Sequence, residues 1–342
     1  STSGSRRKAR KHRPKPRLFL INEFYGRRAY VTEMLDKVAS SLNQRGIRVE
    51  ISDHIAAIAP KVRKMDLAIS HHIPPRGTPL PDSQVFGRLR TQRARGLKLL
   101  NKFGIDTVRW STPANPVELI KLFHQWKTDT LLLKRAGTCR ALGISMIQMS
   151  DVDSLQWGPH DVFCEVLRGS PKTIKVHFLG TTLLGCYFLN TPPVADLPTL
   201  IEYLEPFPTP EGDDLQIYIT KGIHNRIQVD PRLAEKIRAL GSKLLRMGGG
   251  YSSIDFMEGP EGWLAIELNS NTVGTLRPWV TWPQESHDAM VTALEALVSL
   301  HPRKRRKTSL RKQRLGVTKA SEKNPAAAAS QSHGDASGCD AR

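Results

Sequence analysis

Cysteine is scarce in this chain: four residues in 342, at Cys139, Cys164, Cys186 and Cys339, with no CxxC pair and no histidine at ligand spacing. That excludes a zinc cluster or a disulfide framework, and it fits a reducing interior in which the thiols are small buried apolar groups. Cys139 differs, because it sits in a loop read below as lying near phosphate. Long apolar runs are also missing. None approaches the roughly 18 to 20 residues that a membrane-spanning helix needs, and no signal-peptide pattern precedes the first strand. The expectation is a cytoplasmic protein without a membrane span. Aromatic residues make up 6 %, and neither chain end contains Phe, Tyr or Trp. Both ends therefore lack the stacking platforms that RNA-binding surfaces interleave with their bases. No Ser/His/Asp or Cys/His arrangement stands out, so a side-chain nucleophile is not expected.

What is abundant is positive charge, with 51 Lys and Arg against 32 Asp and Glu and a net charge of +19. Its position matters more than its size. Residues 1–17 hold eight bases and no acid, and residues 302–342 hold eleven bases and three acids, so each end carries +8 and the body between them only +3. Both ends lack apolar periodicity and read as disordered. The run Arg303 to Lys307 (RKRRK) offers polyanion contact to RNA, DNA or acidic lipid, and reads equally as a solvated tail. The body, with 39 % hydrophobic and 24 % charged residues overall, has the composition of a globular protein with ample core.

Along the body, an apolar strand at Leu18 to Asn22 leads into a helix from Tyr30 to about Arg45, with Met34, Leu35, Val38 and Leu42 on one stripe. Strands at Arg48 to Ser52 and Asp66 to Ser70 complete a small α/β unit, and a proline-rich linker follows at His71 to Asp82. A basic helix is expected from Ser83 to Phe103, then a strand at Ile105 to Trp110, a helix to Trp126 and a strand at Thr130 to Lys134. Further strands are expected at 144–149, 162–167, 173–179, 183–189 and 215–220, with an irregular insertion between Asn190 and Asp214. Asp230 caps a helix begun by Pro231, whose apolar face ends at Gly248. A last helix runs near Glu285 to Leu300.

The chemistry concentrates in Tyr251 to Gly274, YSSIDFMEGPEGWLAIELNSNTVG, which reads as a hairpin with no basic side chain between Ser252 and Val273. Alternation puts Glu267 and Asn269 on one face and Leu264, Ile266 and Leu268 on the other, while Asp255 lies opposite Ile254 and Phe256. Two carboxylates and an amide then offer hard oxygen ligands to one divalent ion, or form the polar face of an ordinary half-buried hairpin. Lys134 ends an apolar strand before the loop Arg135 to Gly143, where it meets phosphate or snorkels to water. Lys175 and His177 share the polar face of their strand, and the strand exit at Glu165 to Leu167 offers backbone groups to a purine edge. The turn KGIHNR brings Lys221, His224, Asn225 and Arg226 together, as a solvated turn or as support for a transferring phosphoryl group.

The order of these pieces resembles the ATP-grasp superfamily, closest to the ligases that glutamylate ribosomal proteins and to glutathione-synthetase-like enzymes. The resemblance covers about Ser83 to Leu300. It implies an α/β (α+β) ATP-grasp fold: a disordered basic tail at 1–16, a small preceding α/β domain with its linker at 17–82, the ATP-grasp domain at 83–301, and a second basic tail at 302–342. Residue by residue, it implies Asp255, Glu267 and Asn269 as ligands of magnesium, with manganese as an alternative. Lys134 matches the lysine before the flexible loop that Gly143 closes. The stretch LLNKFGID, Leu99 to Asp106, resembles the one after the family's other nucleotide lysine, and counting back places Arg93 there. Glu165, Val166 and Leu167 match the adenine hinge, Lys175 stands where arginine is usual, and Lys221 and Asn225, at a different spacing, are the candidates for the catalytic basic residue and amide near the γ-phosphate. The loop holds Cys139, Arg140 and Ala141 where the family has more glycine, and Ser270 to Gly274 replaces its Pro-Gly continuation. The implied activity is an ATP- and magnesium-dependent ligase joining a carboxylate to an amine of an amino acid, peptide or protein. The alternatives are a kinase of the same fold and a basic nucleic-acid-binding or regulatory protein with an inactive ATP-grasp body.

Overall fold

Arg17–Ile21 (β1) is a strand whose last four residues, Leu18 to Ile21, are all fully buried. Such a continuous apolar run suits the interior of a parallel sheet covered on both faces. The computed structural model describes residues 16–21, 29–70, 80–81, 84–89, 91–136, 143–167, 173–189, 204–206, 218–220, 229–270 and 284–299. Residues 1–15, residues 300–342 and the expected site residues Lys221 and Asn225 lie outside that set, whereas Arg17, counted above with the first basic end, is the first residue of β1.

Ala29–Gln44 (α1) follows β1 and buries Met34, Leu35, Val38 and Leu42 against Leu18 and Leu20. β1 pairs in parallel with Arg48–Ser52 (β2) and Leu67–Ser70 (β3), and Phe19 and Ile21 on its other face meet Ile55–Ile58 (α2). The carboxylate of Asp66 fastens this unit. It is fully buried, and it accepts hydrogen bonds from the backbone N–H and guanidinium of both Arg17 and Arg63. Burial alone would raise its pKa, but the bonds from Arg63 and Arg17 prevail and hold it at about 2.

The expected helix from Ser83 is shorter than the sequence suggests. Val85–Phe86 (β4) instead joins the edge of the first sheet beside β3, giving the order β2-β1-β3-β4, and Gly87 at φ +101 breaks the chain direction. Only Arg93–Lys102 (α3) is helical. Ile105 to Arg109 is likewise not a regular strand: it runs beside the later hairpin, with Thr107 bridging Ala265, before Trp110–Ser111 (β5).

Pro116–Trp126 (α4) begins at a proline behind the cap Asn115, whose side chain accepts from the N–H of Glu118. It packs through Leu119 and Phe123 on one face of an antiparallel sheet of order β5-β8-β6-β7, built with Thr130–Lys134 (β6), Ile144–Gln148 (β7) and Val162–Glu165 (β8).

A third sheet joins Thr173–Leu179 (β9) and Thr182–Leu189 (β10) to the hairpin. Leu204–Pro206 (β11) pairs separately with Tyr218–Thr220 (β12), the described part of the strand expected from Leu215. Pro231–Arg246 (α5) starts where Asp230 accepts from the N–H groups of Arg232 and Leu233, and it buries Ile237, Leu240 and Leu244. Ser252–Gly259 (β13) and Gly262–Asn269 (β14) complete the sheet order β10-β9-β13-β14. α3 and α5 cover its back, where Ile174, Val176, Phe178, Ile254 and Phe256 are buried. Gly241 permits the close fit of α5, because a Cβ there would lie 1.9 Å from the carbonyl oxygen of Gly180. Residues 284–299 (α6) return to the first sheet, adding Met290, Val291, Leu294 and Leu297 to the core under α1. Among the described residues, no helix is long and apolar enough to cross a membrane.

Candidate active site

The hairpin and β9 set the site by register. Asp255 on β13 faces Glu267 on β14 across one side and Lys175 on β9 across the other. Directly opposed residues project to the same face of a sheet, so the three side chains stand in a row. Ser253 lies two residues earlier on that face, opposite both Asn269 and His177. One polar surface thus carries Lys175 and His177, Ser253 and Asp255, and Glu267 and Asn269.

A bulge changes the pattern just beyond Asp255, where Phe256 pairs with Ala265 and leaves Ile266 without a partner in the ladder. The expectation that Leu264, Ile266 and Leu268 share the core is therefore corrected. Leu268 is buried, Ala265 takes the core position opposite Phe256, and Leu264 and Ile266 are half-buried. The carbonyl of Ile266 is free to accept from Lys134 Nζ at 3.3 Å. A lysine from the second sheet thereby reaches the acidic hairpin of the third.

Arg93 arrives from the first residue of α3. Gly96 lets that helix approach β14, since a Cβ there would meet the Cβ of Leu268 at 3.3 Å. The entry to α3 is pinned as well: Ser270 Oγ donates to the carbonyl of Leu89 at 2.8 Å and accepts from Thr91 N–H at 3.1 Å. Arg93 Nε then stands 3.5 Å from Glu267 Oε1, while its Nη1 donates to the carbonyl of Arg135. Lys175 Nζ lies 3.1 Å from Asp255 Oδ1. Arg93 and Lys175 thus each meet one carboxylate, and Lys134 meets the backbone beside Glu267.

Burial pushes the Asp255 carboxyl up from its ordinary range, Lys175 opposes that shift, and Glu267 adds to it. Asp255 Oδ1 makes no well-directed hydrogen bond despite the ion pair, and the fully buried Ser253 Oγ has no hydrogen-bond partner among the described residues. A magnesium ion fits the chemistry of the donors, which are hard oxygens, two anionic and one an amide. Among the described residues no group of three His, Cys, Asp or Glu is placed to hold a metal.

Beside this row, a cavity between the second and third sheets is lined by Val108, Leu132, Lys134, Cys164, Glu165, Leu167, Met257 and Ile266. Its volume is about 30 Å³, room for a water or two and too little for a purine. Glu165 and Leu167 of the expected hinge line it, and Val166 does not. The Glu165 carboxylate accepts from the backbone N–H and Nε of Arg109, both at 2.7 Å, and the Glu165 N–H donates to the Arg109 carbonyl at 3.0 Å. Gly143, at φ +73, accepts from Arg135 N–H at 2.9 Å and closes the base of the loop after Lys134. Asp161 anchors the same corner through Ala136 N–H at 2.6 Å. Cys164 and Cys186 are buried free thiols, and burial raises both, Cys186 to about 12. Neither is a nucleophile at neutral pH.

The apolar walls Val108, Leu132, Met257 and Ile266 escaped the sequence reading because each looks like an ordinary strand residue. Only the bulge and the packing of two sheets turn them toward a common space.

No protein-family model matches the chain, and no curated protein matches it. Solved structures do. The macrocyclase MdnC from Microcystis aeruginosa, bound with precursor peptide MdnA, is 11 % identical, with 82 % of this chain and 99 % of that one covered and a TM-score of 0.52. A D-alanine–D-alanine ligase from Bacillus anthracis is 15 % identical, with 85 % and 99 % covered and a TM-score of 0.50. Identity this low speaks to the fold alone. Three sheets in this order, with a hairpin and a lysine-bearing strand facing each other across a cleft, are the ATP-grasp fold.

Proposed function

We propose that the cleft between the second and third sheets binds ATP with magnesium, and that the protein is a ligase joining a carboxylate to an amine. The observation that carries this reading is the cross-strand row Lys175–Asp255–Glu267, met from outside by Arg93 and Lys134. Asp255, Glu267 and Asn269 would hold the ion, which when bound supplies charge neutralisation for a nucleotide's phosphates. Lys134, Lys175 and Arg93 bring positive charge to the same place, and they must exchange their present carboxylate and carbonyl partners for phosphate oxygens. Purine entry requires the cavity walls to move apart, since the space between them is too small as it stands.

In the proposed reaction a substrate carboxylate oxygen attacks the γ-phosphorus and the bond to ADP breaks, giving an acylphosphate. An amine then attacks the acyl carbon, phosphate leaves, and the amine loses a proton. The protein's contribution is positioning and electrostatics, in keeping with the absence of an activated thiol among the described cysteines. The similar structures, one ligating D-alanine and one binding a precursor peptide, favour an amino acid, peptide or protein as substrate. Lys221 and Asn225 belong to the same proposal as groups near the γ-phosphate, on sequence grounds alone.

A phosphate-release screen with ATP, magnesium and pairs of amino acids or peptides tests this reading. Acceptor-dependent release that Asp255→Asn abolishes is the expected result. Transfer of the phosphate to an acceptor without release would make the protein a kinase, and no turnover with any pair would remove the enzymatic reading.

A further inference from the structure

α3 and α5 cover the back of the third sheet, on the side away from the cleft, and between them runs a groove lined by Arg95, Lys98, Leu99, Lys102, Lys243 and Met247. The charge on these helices is one-sided. α3 carries Arg93, Arg95, Lys98 and Lys102 with no acid, and α5 carries Arg232, Lys236, Arg238, Lys243 and Arg246 against Glu235 alone. Apart from Arg93, which meets Glu267 in the cleft, the two helices hold a net +7 while residues 18–301 sum to only +3, so the remainder of the body is acidic on balance. Four of these cations, Arg95, Lys98, Lys102 and Lys243, line the one groove.

Several cations elsewhere on the body have carboxylate partners, as in Arg45 with Glu295, Lys61 with Glu50 and Arg109 with Glu165. None of Arg95, Lys98, Lys102 and Lys243 forms an ion pair among the described residues. Lys98 and Lys102 are also a like-charged pair at a spacing of four, an arrangement that weakens a helix on its own. The fold keeps an unpaired, mutually repelling set of charges that an anion would relieve.

We infer that this groove is a docking surface for an acidic segment of a partner polypeptide. Two features of the groove favour a peptide over nucleic acid. Its lining includes Leu99 and Met247, half-buried apolar side chains that a peptide's aliphatic residues would cover, and methionine adapts readily to such contacts. Neither α3 nor α5 contains an aromatic residue, so the surface has no platform for stacked bases. The inference does not depend on the ATP-ligase reading, because the groove lies on the opposite side of the sheet.

The test is fluorescence anisotropy with a labelled (Glu-Glu-Leu)4 peptide, no nucleotide present, titrated with the full chain and with its Lys98→Glu/Lys102→Glu variant. Both lysines are exposed, so far-UV circular dichroism of the variant should match the parent. The basic chain ends attract the peptide equally in both proteins, and the groove's share is the difference between them. Binding at least about tenfold weaker in the variant is expected. Met247→Gln should also weaken the leucine-containing peptide while leaving a (Glu-Glu-Gly)4 control unchanged. Equal affinities for parent and double variant would overturn the inference. So would tighter binding of a labelled oligothymidylate of the same charge with the same loss in the variant, since the surface would then be a nucleic-acid site.

Discussion

Replacing Lys175 by methionine keeps the length of the side chain on β9 and removes the cation in direct contact with Asp255. At their 3.1 Å separation the two charges attract by about 5 kcal/mol at an effective dielectric constant of about 20, and by about 1.3 kcal/mol in bulk water. The side chains keep 20 % and 16 % of their exposure, which places the pair between these limits. Breaking a fully buried pair costs about 3 to 5 kcal/mol, so partial screening and the recovered freedom of the lysine lead us to expect about 2 to 3 kcal/mol here. Glu267 sharpens the effect, because the Asp255 carboxylate would then face a second negative charge alone. A double-mutant cycle isolates the pair: urea unfolding followed by circular dichroism for the parent, Lys175→Met, Asp255→Asn and the double variant. Once Asp255 is neutral, removing Lys175 should cost little. A coupling energy below about 0.5 kcal/mol would refute the claim that Lys175 compensates Asp255.

Three further outcomes follow from the same geometry. Gly241→Ala should lower stability by about 1 to 3 kcal/mol, measured by urea unfolding, because its Cβ would collide with the Gly180 carbonyl and the helix must move. Asp66, held at about 2 against an unfolded value near 3.9, contributes stability that is complete above about pH 4 and is lost as pH falls toward 2. Acid titration of the unfolding midpoint should show that loss in the parent and a flatter profile in Asp66→Asn, which is less stable at neutral pH. Lys134→Ala should weaken ATP binding in equilibrium titration with the fold intact. Unchanged affinity would leave Lys134 as a bridge to the Ile266 carbonyl and nothing more.

Much of the fold is legible in the sequence because its signals are local. The apolar run at Leu18, the stripe on α1, the Asp230–Pro231 start of α5 and the alternation around Asp255 each reflect a single element's own pattern. What the sequence hides depends on partners far away in the chain. The bulge at Ile266 exists because β14 must also pair its Ala265 with the segment at Asp106 and Val108, on which strict alternation is silent. Val85 and Phe86 form an edge strand because β3 presents a free edge, although their surroundings read as helix. α6 looks like a closing helix of the last domain, yet its apolar face completes the core of the first sheet. In the site, residue types and spacings announced the acidic hairpin. The contacts of Arg93 with Glu267 and of Lys134 with Ile266 required α3 and the second sheet to be brought to it.

In the proposed function, Asp255, Glu267 and Asn269 together grip a divalent ion in an ATP cleft. Calorimetric titration of ATP into the parent and into Glu267→Gln, each with and without magnesium, tests it most directly. Magnesium should tighten ATP binding by at least about tenfold in the parent and have little effect in the variant, at an unchanged unfolding midpoint. A variant that keeps the full magnesium effect would show that the ion, if bound at all, is held elsewhere.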